Sequence, residues 1–197
     1  LSLVGSEMCI RDRYHIWTGA DEGVYMSRST DSGITWEQTS MRISPVEIIS
    51  SVFPQVDAGD PGRIAITYLG SEDSSQLGQP NLDGDPWDGN VHYANSNVTY
   101  DLYVTYSLNA LDSNPIFHTY RVTSDPVQIG SICLNSGDCR DIGGSNRNLL
   151  DFNDLHIDRN GRVFIAFADG CTGTCASGNA STPEDSRSRR GIMAYLS

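Results

Sequence analysis

The stretch Phe53-Pro54-Gln55-Val56-Asp57-Ala58-Gly59-Asp60-Pro61-Gly62-Arg63-Ile64-Ala65-Ile66-Thr67-Tyr68 has a counterpart 99 residues later. That counterpart is Phe152-Asn153-Asp154-Leu155-His156-Ile157-Asp158-Arg159-Asn160-Gly161-Arg162-Val163-Phe164-Ile165-Ala166-Phe167. The two align without a gap, with Phe, Gly and Arg at the same offsets. Each reads as strand, tight turn, strand, with Gly62 and Gly161 supplying the positive φ that a short hairpin turn needs. The second strand of each copy is a near-continuous run of β-branched and aromatic residues. That predicts burial on both faces and a covering sheet on each side. An internal repeat of this kind marks a stacked architecture in which no unit buries its own faces alone.

Further strands extend each copy. Leu102–Ser107 follows the first and Gly191–Leu196 the second, while Gly23–Ser29, with Tyr14–Thr18 ahead of it, fills the same role before the first copy. No segment carries helical periodicity, and Gly, Pro, Asn and Asp separate the short alternating runs. The expected fold is all-β. Its architecture is a partial β-propeller of about two and a half four-stranded antiparallel blades, in which each blade covers its neighbour.

After the strand Gly23–Ser29 comes Ser29-Thr30-Asp31-Ser32-Gly33-Ile34-Thr35-Trp36. This S-x-D-x-G-x-T-W string resembles the Asp-box of the bacterial neuraminidase repeat, found in sialidase-like propellers. Its chemistry fits a tight hairpin: Asp31 can accept backbone N–H bonds across the turn and Gly33 can take the left-handed position. Trp36 is expected to open the outer strand with its ring beneath the turn. The second unit has a degenerate box, with Ser107, an expanded stretch through Asp112 and Asn114, and Phe117 in place of Trp. The third unit reaches Ser197 where its box is expected to begin. The resemblance implies a six-bladed ring when complete, and a structural role for Ser29, Asp31, Gly33 and Trp36.

The resemblance also implies where substrate sits: opposite the boxes, over the starts of the innermost strands and the loops joining second to third strands. Sialidases hydrolyse terminal sialic acids with retention, using a Tyr nucleophile with its Glu, an Asp acid/base and three Arg on the sugar carboxylate. The Phe/Tyr-Arg-Ile-Pro motif that carries the first Arg does not occur here. Mapped onto this chain, Asp154 and Arg147 are the candidate catalytic groups, and Gln55, Trp87, Asp151 and Asn153 the candidate substrate-binding ones. The rival expectation is a non-catalytic propeller presenting a carbohydrate- or protein-binding surface, because a fold does not fix a function. Whether the chain is an enzyme stays open at this point.

The loop Asn81-Leu82-Asp83-Gly84-Asp85-Pro86-Trp87-Asp88 places Asp83, Asp85 and Asp88 close together, hard oxygen donors suited to Ca²⁺ if any metal binds. A solvated acidic loop is the plainer reading, and no cofactor is required. Formal charge is −12, with all 13 basic residues Arg. That balance opposes nucleic acid and anionic membranes as partners. No apolar run approaches the ~20 residues of a membrane-spanning helix.

Leu3–Arg13 resembles the translation of a sequencing adapter. Residues 1–13 are therefore set apart from a propeller domain spanning 14–197, which is expected to be incomplete. With Cys9 excluded, Cys133, Cys139, Cys171 and Cys175 remain in Gly/Ser/Asn-rich loops. They read as disulfides of a secreted or cell-surface protein, with the pairing open.

Overall fold

The computed structural model describes residues 11–73, 98–129, 132, 149, 153–173, 175–176 and 190–196. Among them there is no helix, and the strands form three antiparallel sheets. The first sheet has the order β1 (Arg13–Thr18), β2 (Val24–Ser29), β3 (Met41–Arg42). In the second, β4 (Ser50–Ala58), β5 (Ile64–Ser71), β6 (Thr99–Ser107) and β7 (His118–Arg121) lie side by side, and β8 (Gln128–Ile129) also pairs with β6. The third has the order β11 (Arg190–Leu196), β10 (Val163–Asp169), β9 (Asn153–Ile157). The expected strands Tyr14–Thr18, Gly23–Ser29, Leu102–Ser107 and Gly191–Leu196 are present; their last residues coincide with the observed ones and their first residues differ by one to three.

The second sheet lies between the other two. Ile64, Ile66, Tyr68 and Tyr103 point to the first sheet and pack on Val24 and Met26. Ala65, Leu69, Leu102 and Val104 point to the third and pack on Leu155, Val163, Ile165 and Phe167. Every residue of β5 is buried, as its unbroken apolar run requires. Each such large side chain contributes about 1.5–3 kcal/mol relative to exposure.

The repeat governs which face meets which. Residues 163, 165 and 167 turn toward the second sheet just as 64, 66 and 68 turn toward the first. Directly opposed pairs also correspond: Tyr14 faces Arg28, Ala65 faces Tyr106 and Phe164 faces Tyr195. On this register Ser29, Ser107 and Leu196 are equivalent.

The repeated hairpins form as expected. Gly62 has φ 74° and Gly161 φ 76°. The turns close through Gly59 N–H to the Arg63 carbonyl and Asp158 N–H to the Arg162 carbonyl, both at 2.9 Å. One feature is absent from the sequence pattern. The β4–β5 register slips between Val52 and Gln55, where Phe53 takes φ 55°, a β-bulge in the edge strand β4.

Candidate functional site

Two ends of the sheet stack can be distinguished. At one lie the hairpins Gly59–Arg63 and Asp158–Arg162 and the turn after β2. At the other lie the starts of β4, β6 and β9 and the ends of β5 and β10. The β1–β2 turn joins this second end, since Thr18 Oγ1 donates to the Ser51 carbonyl at 3.2 Å and Ser51 Oγ donates to the Glu22 carbonyl.

The turn after β2 is built from the residues of the S-x-D-x-G-x-T-W string. Asp31 Oδ1 accepts from Thr35 N–H at 2.8 Å and from Ser29 Oγ at 2.8 Å, and Asp31 Oδ2 accepts from Thr35 Oγ1 at 2.6 Å. Gly33 N–H donates to Ser29 Oγ at 2.9 Å, and Gly33 itself has φ 89°. Trp36 Nε1–H donates to the Gly33 carbonyl at 3.1 Å, which brings the indole under the turn. The Thr35 hydroxyl and N–H, with Ser29 behind them, pull the Asp31 carboxyl down to about 2. Trp36 does not open the outer strand. Glu37 N–H still reaches the Arg28 carbonyl at 3.1 Å, but the chain then leaves through Gln38–Ser40 and pairs again only at Met41–Arg42.

At the strand-start end, Asn153 is buried and donates its side-chain amide to the Phe53 carbonyl at 2.9 Å. Its polar capacity toward a ligand is therefore partly committed to joining two sheets. Asp154, on the opposite face of β9, is exposed, and its Oδ1 accepts from Leu155 N–H at 2.9 Å. Gln55 is exposed as well, but β4 begins at Ser50, so Gln55 sits mid-strand beyond the bulge. Arg147, Asp151, Trp87, the trio Asp83, Asp85 and Asp88, and the pair Cys133 and Cys139 lie outside the described residues. Cys171 and Cys175 form a disulfide. Both are buried, and the neighbouring Gly170 N–H donates to the Val127 carbonyl at 2.9 Å.

The same end holds a charged group that sequence reasoning passed over. Tyr103 donates its hydroxyl to Glu72 Oε1 at 2.9 Å, and Asp101 meets Arg121 Nη2 at 2.8 Å. Burial, reinforced by the Glu72 carboxylate, pushes the Tyr103 phenol up. Burial also pushes the Asp101 carboxyl up, against the lowering pull of Arg121. In this arrangement the Tyr103 hydroxyl is the hydrogen-bond donor to the Glu72 carboxylate. Only the β5–β6 register brings Glu72 near Tyr103, and neither residue stands in a recognisable motif.

Among the described side chains of this end, Arg42 and Arg121 are paired. Arg42 binds Asp21 Oδ2 at 2.6 Å and the Ile48 carbonyl at 2.9 Å. At the hairpin end Arg162 grips Asp158 at 2.6 Å and lowers its carboxyl, while Arg63 lies 3.9 Å from Asp60. Among the described residues, no group of three or more His, Cys, Asp or Glu is arranged to hold a metal. No helix among them is long and apolar enough to cross a membrane.

An aromatic groove of about 510 Å³ runs along the outward face of the first sheet beside His15, Trp17 and Trp36. Trp17 stacks with His15 at 5.3 Å and with Tyr25 at 6.2 Å. In the repeat, His15 and Trp17 correspond to Ile66 and Tyr68, which are used for packing between sheets. No protein-family model and no curated protein sequence matches the chain.

Proposed function

We propose that the three sheets are consecutive blades of a sialidase-like β-propeller whose activity class is hydrolysis of terminal acidic sugars, sialic acid or a relative. The observation that carries this reading is the Ser29–Trp36 turn. Asp31 accepts the Thr35 N–H across the turn and Gly33 takes the left-handed position, as the Asp-box resemblance calls for. The equivalent packing faces of the three sheets support a stack of blades. On this reading substrate lies over the strand-start end, with Asp154 as an acid/base group and Arg147 on the sugar carboxylate. Gln55, Trp87, Asp151 and Asn153 line the approach. The Asp83–Asp88 loop is a candidate Ca²⁺ ligand set, and the buried Cys171–Cys175 bond suits an extracellular location.

A non-catalytic propeller presenting a carbohydrate- or protein-binding surface is the second reading, and a specific observation favours it. Arg42 and Arg121 at the strand-start end are each held by a carboxylate, so neither is poised to fork onto an anionic sugar. One experiment separates the two. The chain is incubated with a fluorogenic sialoside, and saturation-transfer NMR is recorded with free sialic acid. Release of the fluorophore that is lost in Asp154→Ala supports the hydrolase. Saturation transfer without release supports the binding module, and neither signal sinks both.

A further inference from the structure

Asn160-Gly161 is the single Asn-Gly pair in the sequence, and it forms the tip of the β9–β10 hairpin. Arg159, Asn160, Gly161 and Arg162 are all exposed. The Asp158 carboxylate holds the turn from within, its Oδ1 accepting the Asn160 and Arg162 N–H groups, each at 2.9 Å. Between these two, the Gly161 N–H donates to the Asp158 carbonyl, also at 2.9 Å. Gly161 has φ 76°, and a Cβ added there would meet no described atom within 4 Å. With no side chain of its own, Gly161 leaves the peptide nitrogen that follows Asn160 unshielded.

The equivalent hairpin of the first copy differs at both points. Pro61 stands where Asn160 stands in the second, and Gly62 is buried. Ala110 N–H donates to the Gly62 carbonyl at 2.8 Å, and Arg28 in turn donates to the Ala110 and Asp112 carbonyls. One turn is clamped by two neighbouring segments, whereas the bonds named for the other run within it. An exposed turn held by its own bonds opens locally at a small free-energy cost.

We infer that Asn160-Gly161 is a site of spontaneous modification, at which the chain ages into isoaspartyl and aspartyl forms of this hairpin. When the turn opens, the Gly161 nitrogen loses its proton to a solvent base and attacks Cγ of Asn160. The new bond closes a succinimide ring, the bond from Cγ to the carboxamide nitrogen breaks, and ammonia leaves with a proton from water. Water then adds to either imide carbonyl and cleaves that carbon's bond to the Gly161 nitrogen, which takes back a proton. Opening at the side-chain carbonyl gives the aspartyl form; opening at the main-chain carbonyl gives the isoaspartyl form. The net change is carboxamide plus water to carboxylic acid plus ammonia, with no oxidant or reductant.

The isoaspartyl form carries an extra methylene in the main chain of a turn closed by the Gly161 bond and by Asp158 N–H to the Arg162 carbonyl at 2.9 Å. Either form also sets a new carboxylate near that of Asp158, in a chain whose formal charge is already −12. The same hairpin ties the third sheet to the second, because Ile157 N–H donates to Asp57 Oδ2 at 2.9 Å. Ageing at the tip therefore loosens a contact between sheets. The inference needs this hairpin alone and is independent of the proposed function.

The test holds the full 197-residue chain folded at mildly alkaline pH in heavy-oxygen water and follows peptide maps over time. Asn160 should be the first asparagine to convert, with solvent oxygen in its new carboxyl. The isoaspartyl fraction should accept a methyl group from an isoaspartyl-specific methyltransferase and show faster amide exchange at Gly161 and Ile157. Pro61→Asn places the same dipeptide in the clamped turn, and there conversion should run at least about tenfold more slowly than at Asn160 of the same variant. Conversion of another asparagine ahead of Asn160 would overturn the inference. So would survival of Asn160 in the folded chain while a synthetic Ile157–Val163 peptide converts, or equal rates at positions 61 and 160.

Discussion

Asn153 donates its side-chain amide to the carbonyl of Phe53 across 2.9 Å, fastening the first strand of one repeat to the bulge in the first strand of the other. Phe53 adopts φ 55°, a conformation that costs a non-glycine residue of order 1–3 kcal/mol. The Asn153 bond satisfies a carbonyl that the bulge takes out of the regular ladder. Asn153→Ala should therefore destabilise the fold by about 1–2 kcal/mol, read as a lower urea midpoint with unchanged slope. Unaltered stability would return Asn153 to a purely ligand-facing role.

Arg28 ties the first sheet to the second through two backbone carbonyls of the 110–112 turn, and pairs with Glu37 of its own unit at 2.7 Å. The guanidinium is buried and supplies donors in several directions, a task a single ammonium cannot repeat. Arg28→Ala should cost about 2–3 kcal/mol, and Arg28→Lys should recover less than half of that. Glu37→Gln, at a more exposed partner, should cost under about 1 kcal/mol. Equal losses for all three variants would point to general disruption of the turn.

Much of the stack was legible because repetition and alternation are properties of single strands. The runs Ile64–Tyr68 and Val163–Phe167 announce two-sided burial, and burial selects the neighbours. The Ser29–Trp36 turn was legible because the side-chain hydrogen bonds of Ser29, Asp31, Thr35 and Trp36 in it are local. What escaped depends on register between distant segments. Phe53 reads as an ordinary apolar strand residue until Asn153 is seen to cap its carbonyl. Glu72 and Tyr103 meet only because β5 and β6 align, and no spacing rule connects them. Trp36 resembled a strand start because its aromatic side chain suits one, whereas its indole is held by the turn.

Cys171 and Cys175 close a short loop at the end of β10, tied to the β7–β8 connection through Gly170 and Val127. Removing the cross-link in the double variant Cys171→Ala/Cys175→Ala should cost about 2 kcal/mol, the modest value set by so small a loop. Hydrogen exchange should rise at Gly170 and Val127 before it rises in β5. A mass map showing Cys171 or Cys175 bonded elsewhere would contradict the pairing.

The Asp31 carboxyl, drawn down to about 2 by the Thr35 and Ser29 donors, gives the turn a defined acid dependence. A carboxyl whose folded pKa lies below its unfolded value stabilises the fold above the unfolded value. That contribution fades as pH falls through the folded value. The parent should therefore melt above Asp31→Ala by about 3–6 °C at pH 6, and the gap should close between about pH 4 and pH 2. Asp158 and Asp21 also have lowered carboxyls, so the parent's own melting curve falls with acid for several reasons at once. The difference between parent and variant removes those shared contributions, because Asp158 and Asp21 lie outside the turn and titrate alike in both proteins. A gap that stays constant from pH 6 to pH 2 would mean that the charge on Asp31 is not what holds the turn.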